Sequence, residues 1–365
     1  MLLGPRNKEF VPLLAFLSLL IAGCVTFPPA ELHRYEFSQP EMGVPFRIVL
    51  YATNKTRAQF AVKAAFARIR ELNNKLSDYD LDSELSKLSR TSGQGRAIPV
   101  SDDLWRVLTA AQNWARRSDG AFDVTVGPVV NLWRHARRQQ QLPRADRLSE
   151  AKARVGYTNL VLDPKNQTAL LLVPEMRLDL GGIAKGFAAD EALKILRRQR
   201  IRSALVAAAG DIALGAAPPG ERGWKVTLAS LDVTNAPPAK MLMLANCAVA
   251  TSGDVFQRLE IDGLRYSHIV DPRTGIGLTD HSLVSIIAPD CMTADALATA
   301  VSVLGPEKGL HLVKGIPGIA MRLLRIPNQN KIDVVEYPSK RFNVAERSGD
   351  DRSVSSGDTP TPAIR

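Results

Sequence analysis

The chain has 365 residues, of which 45% are hydrophobic and 23% are charged, a composition that is typical of a globular protein and excludes disordered, coiled-coil and collagen-like architectures. Its one long apolar run, from Phe10 to Cys24, is too short to cross a bilayer comfortably, which excludes a polytopic membrane protein. The formal net charge is +10, but the basic residues are scattered, so an anionic membrane surface or a phosphate-rich cofactor is a simpler partner than nucleic acid.

The apolar run near the N-terminus has the form of a bacterial lipoprotein signal. Arg6 and Lys8 precede it, and small residues come just before Cys24, which is the order found in secretory signals. The residues that end at Cys24 also resemble the lipobox, in which the cysteine is acylated and becomes the mature N-terminus. We therefore expect residues 1–23 to be a signal peptide, Cys24 to carry the lipid, and residues 24–40 to form a Pro-rich tether. The alternative is an internal apolar helix that ends in a chance cysteine.

Beyond the tether, the spacing of apolar residues predicts a mixture of helices and strands. Helices are predicted at residues 62–76, from the N-cap Ser101 to near Gly120, and at 184–199 and 293–304. Strands are predicted at residues 46–52, 170–173, 176–180, 203–208, 224–229, 242–250, 265–270 and 283–288, with a last element at 317–324. A basic, Gln-rich loop is predicted at 134–147 and a disordered tail at 346–365. Because strands and helices do not alternate regularly, we expect an α+β fold in one domain of residues 41–345.

Two features that suggest ligand sites have simpler structural explanations. The acidic stretch that begins at Asp78 lacks the glycine and the distal glutamate of a calcium-binding loop, so Asp82 or Ser83 is expected to cap a short helix instead. Cys247 and Cys291 are too few for a disulfide framework, although a disulfide between them is permitted in an oxidising compartment. We expect both to be buried small hydrophobic residues.

A glycine pair between a predicted strand and a predicted helix offers a binding place for phosphate. The strand at 176–180 runs through Gly181 and Gly182 directly into the helix that carries Lys185. Glycines let the backbone approach a ligand, and the first N–H groups of a helix point at an anion. The spacing is neither that of a P-loop nor that of a Rossmann fingerprint. A diphosphate, with Lys185 as added positive charge, is the ligand that this segment fits.

Two further segments combine polar side chains with turn residues. The segment Gly120-Ala-Phe-Asp-Val-Thr-Val-Gly-Pro128 places a carboxylate and a hydroxyl just past a helix end, where a plain turn is the alternative interpretation. His268 lies near the end of a predicted strand, and Asp271 is close enough in sequence to orient it as a general base. A lone histidine in a strand is more often structural, so both interpretations stay open for His268.

The helix predicted at 293–304 begins with a candidate cation site. Thr293 is the expected N-cap, which places Asp295 in the first turn, and Thr299 follows on the same face. A carboxylate and a hydroxyl at this spacing suit a hard cation such as Mg²⁺, whose remaining positions go to water and phosphate. The alternative is an ordinary helix start with a surface threonine.

Taken together and in this order, the segments resemble the FAD:protein FMN transferase family, also called ApbE, over about residues 40–325. Each motif alone is weak, but eight of them behind a lipobox are specific. The motifs are Met42-Gly43, Leu76-Ser-Asp-Tyr-Asp with Ser83-Glu-Leu-Ser, Gly120-Ala-Phe-Asp-Val-Thr-Val-Gly-Pro, Asp179-Leu-Gly-Gly-Ile-Ala-Lys-Gly, Ala209-Gly-Asp211, Thr251-Ser-Gly-Asp, His268-Ile-Val-Asp-Pro-Arg-Thr-Gly and Ala294-Asp-Ala-Leu-Ala-Thr. One departure is Ala209, where many relatives have glycine, and we expect it to matter little.

The resemblance implies a T-fold-related α+β domain and a Mg²⁺-dependent reaction that splits FAD at its diphosphate, attaches FMN to a Ser or Thr hydroxyl of another protein and releases AMP. It also implies where the ligands bind. His268 would be the catalytic base, and Mg²⁺ would take the Ala184 carbonyl and the oxygens of Asp295 and Thr299. The residues implied to contact FAD are Met42, Tyr79, Ala121, Phe122, Asp123, Gly181, Lys185 and Ile269.

The family's acceptors carry a motif like Asp-x-x-Ser/Thr-Gly-Ala-Ser/Thr and include subunits of quinone oxidoreductases and related electron-transfer complexes. Such acceptors lie outside the cytoplasm, so we expect a lipid anchor on the periplasmic side of the inner membrane. Val25 lacks the charge that retains many lipoproteins there, which leaves the outer membrane open. Two other functions also stay open: an FAD pyrophosphatase that releases FMN and AMP, and a non-enzymatic flavin-binding lipoprotein.

Overall fold

The computed structural model describes Met1 and residues 31–253, 258–328, 331–338 and 342. From Leu32 onward, the described residues form one compact unit. Most of the predicted signal peptide, with the predicted lipid site Cys24, lies outside the described residues. The same holds for Asp254 of the Thr-Ser-Gly-Asp motif and for the predicted tail at 346–365.

Seven helices lie in the described part of the chain. They are α1 (Lys55–Leu76), α2 (Glu84–Ser89), α3 (Asp102–Arg117), α4 (Gly127–Gln139), α5 (Ala145–Lys152), α6 (Ala184–Arg198) and α7 (Cys291–Val313). As predicted, the hydroxyl of Ser83 accepts the N–H that starts α2, and the hydroxyl of Ser101 does the same for α3. Among the described residues, no helix is both long and apolar enough to cross a membrane.

The strands form one large sheet and three small ones. They are β1 (His33–Glu41), β2 (Val44–Ala52), β3 (Ile98–Pro99), β4 (Leu160–Asp163), β5 (Thr168–Leu171), β6 (Ala204–Ala208), β7 (Asp211–Leu214), β8 (Trp224–Leu228), β9 (Lys240–Leu244), β10 (Ala248–Gly253), β11 (Arg258–Ile261), β12 (Leu264–Ser267), β13 (His281–Ala288), β14 (Ala320–Asn328) and β15 (Lys331–Tyr337). The large sheet is antiparallel throughout, in the order β1-β2-β6-β7-β10-β13-β14-β15. Small sheets join β3-β5-β4, β8-β9 and β11-β12.

Both faces of the large sheet are covered, and this confirms the α+β class. Along β2, Ile48 and Leu50 pack into the main core with α1, α6 and α7. Val49 points to the opposite face, where the β8–β9 hairpin covers the sheet through residues such as Trp224. All eight residues of β13 are buried, as expected for a central strand that is covered on both sides. The sheet therefore offers a rigid base for side chains at its strand ends.

The predicted tether is wrong for residues 33–40, because His33–Glu41 pair with Val44–Ala52 as an edge strand. Met42 and Gly43 form the connecting turn, with φ angles of 50° and 76°. Positive φ at both central residues is the geometry of the two-residue hairpin turn that matches strand twist. Pro40 is tolerated because an edge strand need not donate a hydrogen bond at every residue.

Four other sequence-based predictions differ from the structure. The predicted loop at 134–147 contains the second half of α4 and the start of α5, because Val129, Trp133 and Ala136 form a buried stripe that the many charged residues conceal in the sequence. The predicted strand at 242–250 is divided between β9 and β10, and 317–324 is not the last element, because β15 follows β14.

The fourth is the predicted strand at 176–180, which makes no ladder. Met176, Leu178 and Leu180 are buried, as the alternating pattern indicates. The segment is extended, but it pairs only through an isolated bridge from Arg177 to Val126, with the Asp179 N–H donating to the Val124 carbonyl at 2.8 Å. Apolar alternation therefore identified the buried side chains correctly but could not show that the hydrogen-bonding partner is a loop.

Candidate active site

The glycine pair lies between the extended segment and the first turn of α6. The Asp179 carboxylate accepts the Gly181 N–H at 2.8 Å and so fixes the turn. A Cβ atom on Gly182 would lie 2.9 Å from the Thr299 hydroxyl, so this position has no room for a side chain. No side chain at Ile183 caps α6. Glycine is therefore needed at 182 because the turn packs closely against Thr299 of α7.

Lys185 lies between two buried carboxylates, and we call Lys185, Asp211 and Asp295 the charged centre. Its ammonium is 2.8 Å from Asp211 Oδ2 and 3.6 Å from Asp295 Oδ2. Both carboxylates are almost fully buried, whereas the Lys185 side chain keeps 24% of its surface exposed. Burial alone would lower the pKa of Lys185, but Asp211 and Asp295 raise it, so the ammonium stays charged.

Asp295 does not lie where the sequence placed it. The side chain of Asp290, not Thr293, caps α7 by accepting the Thr293 N–H at 2.8 Å, so Asp295 belongs to the second turn. Asp295 faces α6 instead, where its Oδ2 accepts the Gly186 N–H at 3.2 Å. This contact is possible because Gly186 lets the two helices touch: a Cβ there would lie 2.3 Å from the Cys291 carbonyl oxygen. Asp295 is therefore a buried carboxylate between two helices, beside the N-terminus of α6 rather than in the first turn of α7.

The donors around Asp295 fit a hard cation. Burial first, and then the nearby charge of Asp211, raise the pKa of Asp295, so its ionised form needs positive charge beside it. Thr299 is one helical turn away and borders Gly182, two residues before Ala184. The described residues contain no group of three or more His, Cys, Asp and Glu side chains that could bind a metal. A site here would use one carboxylate, one hydroxyl and one carbonyl, oxygen donors that suit Mg²⁺ with water and phosphate.

The Ala121-Phe122-Asp123 segment packs against the glycine turn. All three side chains are buried, and Phe122 lies close enough to Gly182 that a Cβ there would be 3.4 Å from its ring. Asp123 accepts hydrogen bonds from the Thr125 N–H and hydroxyl at 2.8 and 2.7 Å. Burial raises the pKa of Asp123 to about 6. In this structure the Asp123 side chain therefore holds a turn.

A second group of residues, which we call the outer cluster, consists of Asp78, Tyr79, Arg134 and Asp179. Arg134 on α4 forms an ion pair with Asp78 and a second one, at 2.8 Å, with Asp179. Its guanidinium carbon also lies 4.3 Å from the centre of the Tyr79 ring, which remains 74% exposed. Because Asp179 also holds Gly181, the outer cluster is joined to the glycine turn.

His268 directly follows β12 and is half-buried on a loop that backbone and side-chain hydrogen bonds hold. The Ser267 hydroxyl accepts the Ile269 N–H at 3.0 Å, and the Leu278 N–H donates to the Ile269 carbonyl at 2.9 Å. The indole N–H of Trp133 on α4 donates to the Gly275 carbonyl at 2.9 Å, so the loop is tied to the helix that carries Arg134.

The predicted partner of His268 has another role. Both oxygens of Asp271 accept hydrogen bonds from the Arg273 guanidinium, at 2.9 and 2.8 Å. Although burial alone would raise the pKa of Asp271, these hydrogen bonds lower it. A carboxylate held in this way is a weak base, which argues against Asp271 as a replacement for His268.

Direct contacts at the glycine turn join some of the predicted residues. Those joined by contacts at or next to the glycine turn are Phe122, Gly181, Ala184, Lys185, Asp295 and Thr299. Tyr79 reaches this group through Arg134 and Asp179, whereas Met42, His268 and Ile269 lie on separate loops.

The sequence does not predict a role for two residues of the site, Asp211 and Arg134. For Asp211, the only signal in the sequence is its place in the motif Ala209-Gly-Asp211. Arg134 was counted among scattered basic residues. Its partners are distant in sequence, so no local pattern could have identified it.

Known proteins match this chain over most of its length. The sequence model of the ApbE family matches residues 42–323. The FAD:protein FMN transferase of Vibrio cholerae is 33% identical over 89% of this chain and 95% of its own length. That of Escherichia coli K12 is 30% identical over 91% of this chain and 96% of its own.

Solved structures show the same fold. Flavin Transferase ApbE from Vibrio cholerae superposes with a TM-score of 0.76 at 28% identity, over 86% of this chain and 100% of that chain. The apo form of the flavinyl transferase ApbE from Pseudomonas stutzeri gives a TM-score of 0.74 at 28% identity, over 86% and 98% of the two chains. The resemblance inferred from the eight motifs is thereby confirmed, and the chain belongs to the ApbE family.

Proposed function

We propose that this protein is a flavin transferase that cleaves FAD, attaches FMN through a phosphoester bond to a Ser or Thr hydroxyl of an acceptor protein, and releases AMP. The observation that carries the proposal is the charged centre beside the glycine turn. Lys185 is held between two buried carboxylates at the start of a helix whose backbone a diphosphate can approach. The relatives named FAD:protein FMN transferase, which match over most of the chain, support the same reaction.

The chain's own residues bind and orient the diphosphate. Gly181 and Gly182 leave the backbone before α6 without covering side chains, so the diphosphate can lie against the start of this helix. The Lys185 ammonium supplies positive charge. We propose Mg²⁺ as the cofactor, held by the Ala184 carbonyl, Asp295 and Thr299; when bound, it neutralises charge on the diphosphate oxygens. Asp211 holds Lys185 in place from the opposite side.

His268 is the proposed base. The acceptor's hydroxyl oxygen forms a new bond to the phosphorus atom of the FMN half of FAD, and the diphosphate P–O bond to AMP breaks. AMP leaves with the bonding electron pair, and the imidazole of His268 takes the hydroxyl proton. Hydrogen bonds hold the loop that carries His268, and this supports the role. A general base must be held at hydrogen-bonding distance from the group that it deprotonates.

The acceptors that we propose are exported redox proteins with the Asp-x-x-Ser/Thr-Gly-Ala-Ser/Thr-like motif. We also propose that the enzyme is anchored through a lipid on Cys24, at the periplasmic face of the inner membrane. Cys24→Ser tests the anchor: the variant should lose acylation and move to the aqueous phase in a detergent partition, and the soluble body should stay active. A Cys24→Ser protein that is still labelled by palmitate would refute the anchor.

One incubation separates the proposed activity from its two alternatives. The full chain is mixed with FAD, Mg²⁺ and a purified acceptor domain, and the products are resolved on a denaturing gel and by chromatography. Flavin fluorescence on the acceptor band with one AMP per flavin identifies a transferase. Free FMN with AMP and an unlabelled acceptor identifies a pyrophosphatase, and unchanged FAD identifies a binding protein. A second acceptor domain, with the final hydroxyl of its motif replaced by Ala, is the matched control.

A further inference from the structure

The outer cluster contains an arginine that the proposed mechanism does not use. Arg134 has only 16% of its side-chain surface exposed, although it carries a full charge on the surface helix α4. Its two ends are occupied by carboxylates from different parts of the chain, Asp78 before α2 and Asp179 before the glycine turn. Burying a guanidinium costs free energy unless such partners compensate it. Its position therefore calls for an explanation.

The guanidinium also has an aromatic partner. Its carbon lies over the Tyr79 ring, 4.3 Å from the ring centre, while 74% of the residue remains exposed. A planar cation can bind two carboxylates through its edge and support an aromatic ring on its face at the same time, which a lysine cannot do. The other face of Tyr79 is thereby presented to solvent.

We propose that Arg134 is a positioning residue for the flavin: it holds the Tyr79 ring and, through Asp179, the glycine turn, so that the aromatic and diphosphate contacts keep a fixed separation. The inference rests on the proposed function, because it takes FAD as the ligand that spans the two contacts. The chain of contacts is continuous. Tyr79 lies on Arg134, Arg134 pairs with Asp179, and Asp179 accepts the Gly181 N–H at 2.8 Å.

Replacing Arg134 should therefore weaken flavin binding more than catalysis. In Arg134→Met, the ring loses its support, and two carboxylates are left facing each other near the diphosphate. We expect the KM and the Kd for FAD to rise about tenfold with kcat within about twofold, in line with the usual worth of a partly buried cation–π contact and ion pair. Arg134→Lys should not restore binding, because it keeps the charge but lacks the planar fork.

Arg106→Met is the matched control. The Arg106 guanidinium also lies over an aromatic ring, Phe187 at 4.8 Å, and pairs with a carboxylate, Glu191 at 3.0 Å. Arg106 has no role in the proposed mechanism. Its loss should leave the Kd for FAD unchanged, so a general effect of removing a stacked arginine can be separated from an effect at the flavin.

The experiment is a titration of the full chain with FAD, followed by flavin fluorescence, on the wild type and Arg134→Met, with transfer rates measured on the same samples. Tyr79→Leu and the double variant complete a double-mutant cycle. If Arg134 acts through Tyr79, the double variant should lose less FAD-binding free energy than the sum of the losses in the two single variants. Flavin that is bound to Arg134→Met at saturation should also be less quenched. A Kd within twofold of the wild type, or a loss in kcat with an unchanged Kd, would overturn the proposal.

Folding and function can be separated within the same set. If Arg134→Met unfolds early in a thermal melt, Arg134→Lys, which keeps the charge for Asp179, supplies the measurement. A wild type that binds FAD but never labels an acceptor overturns the proposed transfer and leaves the role of Arg134 to be decided by Kd. A wild type that does not bind FAD overturns both.

Discussion

The charged centre and the outer cluster both neutralise buried carboxylates with a cation, but they are built differently. Lys185, Asp211 and Asp295 come from a helix start, a strand start and a second helix, all packed against the central sheet. In the outer cluster, Arg134 alone is helical, and its partners lie on two connecting segments. In the charged centre, tightly packed helices and strands fix the positions of the side chains. In the outer cluster, contacts between the side chains themselves fix their positions.

The difference assigns different work to the two regions. Side chains on packed helices and strands stay within a small distance of one geometry, which charge stabilisation during phosphoryl transfer requires. The outer cluster holds the Tyr79 ring rather than the reacting diphosphate, so it should contribute mainly to the affinity for FAD. The centre should therefore control the rate, and the cluster should control the Kd for FAD. Substitutions in the two regions test this distinction.

Asp295→Asn should have the largest effect. The amide oxygen can still accept the Gly186 N–H, so the α6–α7 contact is kept, while the charge that Mg²⁺ would need is lost. We expect the transfer rate to fall at least about a thousandfold, the scale of several kcal/mol of charge stabilisation. Steady-state rates across a Mg²⁺ series measure this effect. Ala is a poorer substitution, because it would leave the Gly186 N–H without its partner.

Thr299 provides the matched control for that measurement. Thr299→Ser keeps the hydroxyl beside Gly182 and should retain activity, whereas Thr299→Val keeps the shape and should raise the Mg²⁺ concentration needed for half-maximal rate. Wild-type turnover by Asp295→Asn at limiting Mg²⁺ would exclude Asp295 as a ligand.

His268→Ala should have the next largest effect, and it tests the distinction on a loop. A lost general base costs about a hundredfold or more, so transfer should fall by at least that factor. The Kd for FAD should change little, since Lys185 and the glycine turn are intact. The acid limb of the pH–rate profile should also disappear, because a protonated imidazole cannot accept the proton. If the Kd rises instead and bound enzyme turns over normally, His268 is a cofactor contact.

The parts of the site that sequence could predict are those carried by local patterns. Gly181 and Gly182 were found because a glycine pair before a helix has few other uses, and Thr299 because it lies one turn after Asp295. The N-cap of α7 was misplaced by three residues, because Asp290 and Thr293 are both good caps and only the tertiary contacts of Asp190 with the Cys291 and Met292 N–H groups fix where the helix begins.

The outer cluster could not be predicted, for a different physical reason. Arg134 and Asp179 are separated by 45 residues, and Arg134 and Asp78 by 56, so neither pair has a periodic signature. Similarly, β1 lies in a Pro-containing stretch whose strand character comes from pairing with β2 rather than from propensity. Features that depend on long-range pairing need the fold before they can be recognised.

Asp123→Asn tests how much the burial of the Asp123 carboxylate lowers the free energy of unfolding as the pH rises. The pKa of Asp123 is about 6, above its unfolded value of about 3.8, so its contribution to stability is complete below about pH 3.8 and is lost as the pH rises through 6. Asn can accept the same hydrogen bonds from Thr125 without the charge. Between about pH 4 and 7, the free energy of unfolding should therefore fall by roughly 1–3 kcal/mol less in the variant than in the wild type.

Denaturant unfolding across this pH range measures the difference, and Asp163→Asn is the control. The pKa of Asp163 is lowered, chiefly by the hydrogen bond from Asn166, so that substitution should leave the slope near pH 6 unchanged. Parallel stability curves for the wild type and Asp123→Asn would show that the carboxyl is not buried as the structure has it.

Ala209→Gly should have the smallest effect, and it tests the expectation that Ala209 matters little. Ala209 has a φ of 53°, in the left-handed region where glycine is favoured, so its presence is not neutral for the turn before Asp211. Relief of about 1–2 kcal/mol of strain, less about 0.4–1 kcal/mol for the more flexible unfolded chain, should stabilise the variant by about 0–1.6 kcal/mol. The transfer rate should stay within about twofold, because Asp211 keeps its pair with Lys185.

Gly210→Ala is the opposite case: a Cβ there would lie 2.5 Å from the Thr251 carbonyl oxygen, so this substitution should lower both the midpoint of thermal unfolding and the transfer rate. A lower unfolding midpoint for Ala209→Gly would show that the turn carries no strain.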